Sequence, residues 1–112
     1  MRELSDYNLN KMEDCVEFLI DTIDTHAEAK ARAKAAEYLL KAHRSEAYIN
    51  SDGKTIADRE AQAAIAIVHL GHVSEYKNAL REYEIVSARR AVAELQLELY
   101  RTKSANIRGL KI

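Results

Sequence analysis

The residues of this sequence best suited to chemistry form a row of cations with one aromatic ring. His26 opens the row, and its members lie within about 40° of one line along a helix that turns about 100° per residue. The others are Lys30, Lys34, Lys41, Arg44 and Tyr48. Such a face could bind a single-stranded nucleic acid, because cations neutralise phosphates and unpaired bases stack on aromatic rings.

Charge is segregated along the chain, although the net charge is only −1 and the pI is about 6.4. Residues 1–29 carry two basic and eight acidic side chains, whereas the last twelve residues carry Arg101, Lys103, Arg108 and Lys111 and no acid. The simplest interpretation is mutual attraction of these two segments, within or between subunits. The alternative is that the basic residues bind a polyanion, which the modest pI favours less strongly.

A metal site is a weaker hypothesis. His69, His72 and Glu75 are spaced one helical turn apart and could project from one face as ligands. However, zinc-binding helices favour His-x-x-x-His, and the chain contains no Glu-x-x-His pair of the di-iron type. We therefore predict no metal ligands.

Nucleotide binding and nucleophilic catalysis find no support either. Gly53-Lys54-Thr55 lacks the upstream glycine of a phosphate-binding loop and follows a predicted helix rather than a strand. Cys15, the single cysteine, has no activating histidine nearby and is expected to be a small buried hydrophobe. We predict no catalytic residue, no cofactor and no enzymatic activity.

The elements that must carry these residues are easy to delimit, because the chain has no proline and only three glycines. An amphipathic helix is predicted over about residues 9–49, with a buried stripe at steps of three and four. Its members are Val16, Ile20, Ile23, Ala27, Ala31, Ala35, Tyr38, Ala42 and Ile49.

A turn over residues 50–54 is predicted from Asn50-Ser51-Asp52-Gly53, which combines residues tolerant of left-handed backbone. Thr55 and Asp58 have the spacing of a capping box and start a second helix, over about residues 55–103, followed by a basic tail at 104–112. The buried stripe predicted for this helix is Ala57, Ala61, Ala64, Val68, Ala79, Val86, Ala93, Leu97 and Tyr100. Gly71 inside it indicates close packing or a mild kink, or else a functional break.

Two long helices joined by a short turn predict an all-α fold, a long antiparallel helical hairpin in one domain over residues 1–112. Alanines dominate near the turn, so the larger core residues are expected toward the open ends. Two paired helices bury little surface, and we therefore expect a homo-oligomer. No signal peptide or membrane span is recognisable, and with one cysteine this predicts a cytoplasmic protein.

Two segments resemble small helical proteins of tailed-phage recombination and replication gene clusters. The first is the Gly-Lys-Thr-x-x-x-Arg-Glu-Ala segment at residues 53–61, and the second is the aromatic-Arg-Thr-x-x-Ala-Asn-x-Arg segment at residues 100–108. The resemblance covers residues 30–108. The layout is similar, more distantly, to UvsY-type recombination mediators. That similarity implies an oligomer that binds single-stranded DNA and loads a recombinase onto strands coated by single-strand binding protein.

The leading hypothesis is a phage recombination accessory protein whose partners are single-stranded DNA and a recombinase or single-strand binding protein. The DNA contacts expected are Lys30, Lys34, Lys41, Arg44, Tyr48, Arg101, Lys103 and Arg108. The alternative is a protein-only adaptor or inhibitor, such as an anti-defence factor, or a structural assembly protein. Salt-sensitive DNA binding distinguishes the first class from the others.

Overall fold

Residues 2–110, the part of the chain described by the computed structural model, contain four α-helices and no β-strand. A 3₁₀ turn at Leu4–Asp6 precedes α1 (Met12–Asp21) and α2 (Ile23–Ile49). After the turn come α3 (Ile56–His69) and α4 (His72–Leu110). The prediction of an all-α fold is confirmed.

Each of the two long helices expected from the sequence is interrupted once. The first is divided at Thr22, which has φ −101° and ψ 9° and whose hydroxyl donates to the Phe18 carbonyl at 2.6 Å. Such a bond to the preceding turn bends a helix. The interruption is slight, because the Thr22 amide still donates to Phe18 O and the His26 amide to Thr22 O.

The second interruption is at Gly71, whose φ of 81° lies in the left-handed region. A β-carbon built on Gly71 would meet no heavy atom within 4 Å, so close packing does not explain this glycine. It allows the chain to end α3 and begin α4, because only glycine adopts this conformation without steric cost. The second helix is therefore broken at Gly71 rather than closely packed there, and a functional role for the break stays a prediction.

The predicted turn and helix start are present. Thr55 Oγ1 accepts a hydrogen bond from the Asp58 amide at 3.1 Å, which caps α3. The turn itself needs no left-handed residue, because Gly71 has the only positive φ among the described residues. Gly53 is instead required by a close approach: a β-carbon there would lie 2.8 Å from the Arg59 nitrogen.

Helix α4 continues beyond the predicted end at residue 103. Ser104–Leu110 are helical, so most of the segment expected to be a basic tail is the last part of α4. Lys111, counted among the tail cations, lies outside the described residues.

The chain divides by its internal contacts into two units. The terminal unit comprises the described residues up to Ala27 and from Glu84 onward, and the central unit comprises Glu28–Tyr83. Helices α2 and α4 each contribute residues to both units. The prediction of a single domain stays a prediction.

The terminal unit contains the larger core. Tyr7, Cys15, Phe18 and Ala93 form a buried cluster, with the Tyr7 and Phe18 rings edge to face at 5.1 Å between centroids. Partly buried leucines complete it, namely Leu4, Leu9, Leu19 and Leu97. Large core residues were expected at these ends of the helices, and the cluster confirms this.

Three side chains of α4 bond the backbone of the opposing segment in the terminal unit. Arg89 Nη1 donates to Leu4 O at 2.9 Å, and Arg90 Nη1 donates to Leu19 O at 2.8 Å. The Tyr100 hydroxyl donates to Asn10 O at 2.6 Å. The bonds of Arg90 to Leu19 and of Tyr100 to Asn10 have the order of antiparallel segments within this unit, whereas the bond of Arg89 to Leu4 shows that the chain before α1 folds back along α4.

The central unit is packed mainly through small side chains. Its buried apolar residues are Ala29, Ala33, Ala63, Ile67 and Ala79. Short side chains allow helix axes to approach closely but remove little apolar surface from water. This unit therefore gains less from burial per residue than the terminal unit does.

The stripe predicted for the first long helix is wrong. All nine of its members are exposed, from Val16 through Tyr38 to Ile49. The buried stripe has the same spacing but another phase, with Cys15, Phe18, Thr22, Ala29 and Ala33.

The stripe predicted for the second helix is half correct. Ala79, Val86 and Ala93 are buried, whereas the four residues placed in α3 are exposed and Ala63 and Ile67 are buried instead. The change of phase follows from the break at Gly71, which prevents one periodicity from continuing through both helices. Among the described residues, no helix is long and apolar enough to cross a membrane.

Candidate nucleic-acid interface

The cations predicted on the first helix lie on α2 in the central unit, and all are exposed. They are Lys30, Lys34, Lys41 and Arg44. Lys41 Nζ lies 3.3 Å from Glu37 Oε1, an exposed ion pair of the kind that solvent screens strongly. A polyanion can therefore compete for Lys41 at little cost, and the row remains accessible along the helix.

His26 does not extend this row. It is half-buried in the terminal unit, where its Nε2 lies 3.0 Å from Ser87 Oγ. His26 is on the same line along α2 as the lysines. At this end of the helix, that line lies close to the packed face formed by Thr22 and Ala29.

Tyr48 forms one wall of an open notch at the end of the row. The notch has a volume of about 430 Å³ and is lined by Arg44, Ser45, Tyr48, Ile49, Glu60 and Ala63. The Tyr48 side chain is half-buried, so its ring is held in place rather than free in solvent. A fixed ring beside a cavity of this size is a suitable stacking surface for a planar group.

Arg59 is a member of this site that the sequence analysis missed. Its guanidinium carbon lies 5.9 Å from the Tyr48 ring centroid, within range of a cation–π contact. Arg59 Nε donates to Gly53 O at 2.9 Å, which ties the arginine to the turn. Its position depends on the backbone path through the turn, and residue spacing on one helix carries no such information.

The C-terminal cations belong to the other unit. Arg101, Lys103 and Arg108 lie on α4 in the terminal unit, and all three are exposed. Arg101 Nη2 pairs with Glu98 Oε1 at 2.9 Å, and Arg108 Nε donates to Ser104 O at 3.3 Å. Among residues 2–110, none of the ion pairs found joins these cations to the acidic first segment.

The histidines considered as metal ligands are separated by the helix break. His69 ends α3 and His72 begins α4, so His69 does not share a helix face with His72 and Glu75. Within residues 2–110, no group of three histidine, cysteine or acidic side chains could hold a metal ion. His72 instead stacks on His43, with ring centroids 3.7 Å apart and planes at 5°.

A second cavity adjoins these stacked rings in the central unit, and residue spacing did not indicate it. Its volume is about 500 Å³, and its lining includes His43, Glu46, Gln62, Ile67 and His72. His43 Nδ1 lies 3.9 Å from Glu46 Oε2. The cavity lacks the row of cations that a nucleic-acid strand requires.

Two titratable groups in the terminal unit have displaced pKa values. Burial, with a smaller contribution from the charge of Asp14, raises the pKa of the Cys15 thiol, which donates to Leu9 O at 3.1 Å. The hydrogen bond that the Tyr7 hydroxyl donates to Asp21 at 2.8 Å raises the pKa of Tyr7. A buried thiol that resists ionisation is a poor nucleophile, which agrees with the expected structural role of Cys15.

These features define an all-α protein with an exposed basic helix face that ends at an aromatic notch. No family model, curated protein or solved structure matches the chain.

Proposed function

We propose that this protein is a phage recombination accessory protein that binds single-stranded DNA along the exposed basic face of α2. The supporting observation is the alignment of the row: four exposed cations, interrupted once by Glu37, lead along one helix to the notch beside Tyr48. Lys30 and Arg44 are separated by about 21 Å along the axis, at about 1.5 Å per residue, which is long enough to contact several phosphates.

The phosphate contacts are electrostatic and independent of sequence. Each lysine or arginine that neutralises a phosphate releases a condensed counterion, so affinity falls as salt rises. This mode of binding suits a protein that must act on any single strand. The cations of α4, Arg101, Lys103 and Arg108, provide a second group of contacts on the same strand or on another one.

The notch explains a preference for single strands over duplex. An unpaired base can leave the strand and stack on the Tyr48 ring, which a paired base in a duplex cannot do. Arg59 lies beside the Tyr48 ring. Its guanidinium can stack on the face of the bound base or pair with the neighbouring phosphate of the strand. Glu60 lines the same notch and can accept a hydrogen bond from an exocyclic amine of the base.

In this proposal the chain folds as a long antiparallel helical hairpin and acts as a homo-oligomer. An oligomer repeats the basic row, and several weak rows on one strand bind far more tightly than one. The protein partner is a recombinase or a single-strand binding protein, as the resemblance to phage recombination proteins implies. The site of action is the host cytoplasm.

The test is charge reversal of the row, with the combined variant Lys34→Glu, Lys41→Glu and Arg44→Glu. Loss of three phosphate contacts should weaken binding of a labelled single-stranded oligonucleotide by about tenfold or more and lower its salt dependence, measured by fluorescence anisotropy. A matched control reverses three exposed cations elsewhere, Lys11, Lys77 and Arg81, with the same change in net charge.

The control should retain most of the affinity, and circular dichroism should show unchanged helicity in both variants. Equal loss in both would mean that net charge, rather than this face, determines binding. No binding by the unaltered protein at low salt would reject the proposal. It would favour a protein-only adaptor or inhibitor, or a structural assembly protein.

A further inference from the structure

Helix α4 carries a second apolar face in the terminal unit that none of the contacts described above uses. Its members are spaced by three and four residues, and all are exposed: Ile85, Ala88, Val92, Leu95 and Leu99. The exposed fractions of the three largest reach 42% for Ile85, 65% for Leu95 and 54% for Leu99. We call these five residues the α4 seam.

The α4 seam is distinct from the face of α4 that packs inside the terminal unit. Val86 and Ala93 point into that core and are buried, at 4% and 0% exposure. Val92 and Ala93 are adjacent in sequence and so lie about 100° apart around the helix. One helix therefore presents one apolar face to its own core and another to solvent.

The spacing of the α4 seam is that of a coiled-coil heptad. Ile85, Val92 and Leu99 recur every seven residues at position a, while Ala88 and Leu95 occupy position d. In a parallel coiled coil, β-branched residues at a combined with leucine at d favour two strands rather than three or four. Here Ile85 and Val92 are the β-branched residues, and Leu95 is the leucine.

The charges beside the α4 seam favour a parallel orientation of the pair. In a parallel coiled coil, position g of one helix lies beside position e of the following heptad of its partner. The two charged combinations are Glu84 with Arg89 and Glu98 with Lys103, and both are attractive. Arg89 uses Nη1 to bind Leu4 O, which leaves its other guanidinium nitrogens for this contact.

An antiparallel pair has no such complementarity. In that arrangement g lies beside g and e lies beside e. The charged g residues, Glu84 and Glu98, are both acidic, and the charged e residues, Arg89 and Lys103, are both basic. Antiparallel registers therefore bring like charges together or pair a charge with a neutral residue.

We infer that the α4 seam binds a second copy of this chain, with the two α4 helices parallel and in register. The inference deepens the proposed function, since it assigns a surface to the oligomer included there. The seam is short for an isolated coiled coil, but α4 is already held helical by its own core, so association does not include the cost of forming the helix. The expected product is a dimer in concentration-dependent equilibrium with the monomer.

The first experiment is sedimentation equilibrium of the full chain and of Leu95→Asp. Burying a carboxylate at position d in place of leucine should raise the dimer dissociation constant by about tenfold or more, because apolar burial is lost and a charge is taken out of water. Ile65→Asp is the control, because Ile65 is 58% exposed on α3 in the central unit and lies outside the seam. It should associate as the unaltered chain does.

Orientation is tested by Leu99→Cys under mild oxidation. In a parallel, in-register pair the two introduced thiols face each other and should form a covalent dimer, whereas an antiparallel pair separates them. The buried Cys15 should not take part. Absence of the cross-link in a chain that dimerises would overturn the parallel arrangement.

Charge exchange gives an independent check. Glu98→Lys should weaken the dimer by placing a lysine opposite Lys103, and the double variant Glu98→Lys with Lys103→Glu should restore it. Failure of the double variant to recover would contradict the assigned register.

The result separates this inference from the proposed function. A monomeric chain at every concentration, with single-stranded DNA binding intact, would reject the α4 seam and leave DNA binding standing. A Leu95-dependent dimer that binds no DNA would support the seam and reject the proposed function.

Discussion

The terminal and central units of this protein are stabilised in different ways, although the same helices, α2 and α4, contribute to both. The terminal unit has an aromatic cluster around Phe18 and side chain to backbone bonds from Arg89, Arg90 and Tyr100. The core of the central unit consists mainly of alanines. The same unit has the exposed Arg32–Glu82 ion pair, at 2.7 Å. Large buried side chains contribute more free energy than small ones, and the part-buried bonds of Arg89 and Arg90 are screened less than an exposed ion pair.

The difference in stability between the two units agrees with the roles proposed for them. The central unit contains the basic row and the aromatic notch, and a surface that adapts to a flexible strand gains from modest local stability. The terminal unit contains the α4 seam, which must be helical before association. The large buried side chains of this unit stabilise that part of α4 as a helix. The two proposals thus place the basic row and the notch in the central unit and self-association in the terminal unit, which also carries the second group of DNA contacts.

The largest effect is expected from Phe18→Ala in the terminal unit. Phe18 has no exposed surface, and its removal should lower the free energy of unfolding by about 3–5 kcal/mol through lost burial and a cavity. Urea unfolding followed by circular dichroism measures this loss. Cys15 labelling by a thiol reagent should accelerate in parallel, because the buried thiol reacts only when this core opens.

Val16→Ala is the matched control, since Val16 lies on the same helix at 41% exposure. Its substitution should change the free energy of unfolding by less than about 0.5 kcal/mol, as is usual at exposed sites. A cost for Val16→Ala as large as that for Phe18→Ala would mean that the buried face of α1 is the one predicted from sequence.

That control also shows where sequence reasoning succeeded and where it failed. The all-α fold, the turn and the Thr55 cap followed from missing prolines and from local side-chain chemistry, which act within a few residues. The buried face of the first segment did not follow, because apolar residues at helical spacing occur on two faces. Cys15 was expected to be buried and is, but the stripe was placed on the face of Val16 and Ile20. It left out Thr22, which can be buried because its hydroxyl is paired.

For the candidate site, too, only part of the arrangement could be predicted from the sequence. The exposed lysines of α2 were found because they share one helix, so spacing alone places them. Arg59 was missed because its contact with Tyr48 is formed across the turn. The helix break that separates His69 from His72 depends on the backbone conformation of Gly71, since glycine within a predicted helix is compatible with either continuation or a break.

An intermediate effect is expected when the same substitution is made in each unit. Arg90→Met keeps an unbranched apolar stem but removes the bonds to Leu19 O at 2.8 Å and Thr22 Oγ1 at 2.7 Å. Leaving the acceptors of half-buried Leu19 and buried Thr22 with fewer donors should cost about 1–3 kcal/mol in the free energy of unfolding. Thermal and urea unfolding should agree on this loss.

Arg32→Met is the counterpart in the central unit. Arg32 and Glu82 are 61% and 58% exposed, so their ion pair is screened and should contribute less than about 1 kcal/mol. Equal costs for the two substitutions would contradict the view that only the terminal unit relies on shielded polar contacts.

Effects smaller than those of Phe18→Ala and Arg90→Met are expected at two glycines, and they should have opposite signs. Gly71→Ala in the central unit places a side chain at φ 81° and should lower the free energy of unfolding by about 1–2 kcal/mol, although there is open space around the new β-carbon. Gly109→Ala in the terminal unit lies within α4, also with no atom within 4 Å, and should raise stability by up to about 1 kcal/mol through helix propensity. Urea unfolding of the two variants beside the unaltered chain measures both changes. Because neither new β-carbon meets a neighbouring atom, a difference in sign between the two changes in stability can be attributed to backbone conformation. A stabilising Gly71→Ala would mean that α3 and α4 form one continuous helix in solution.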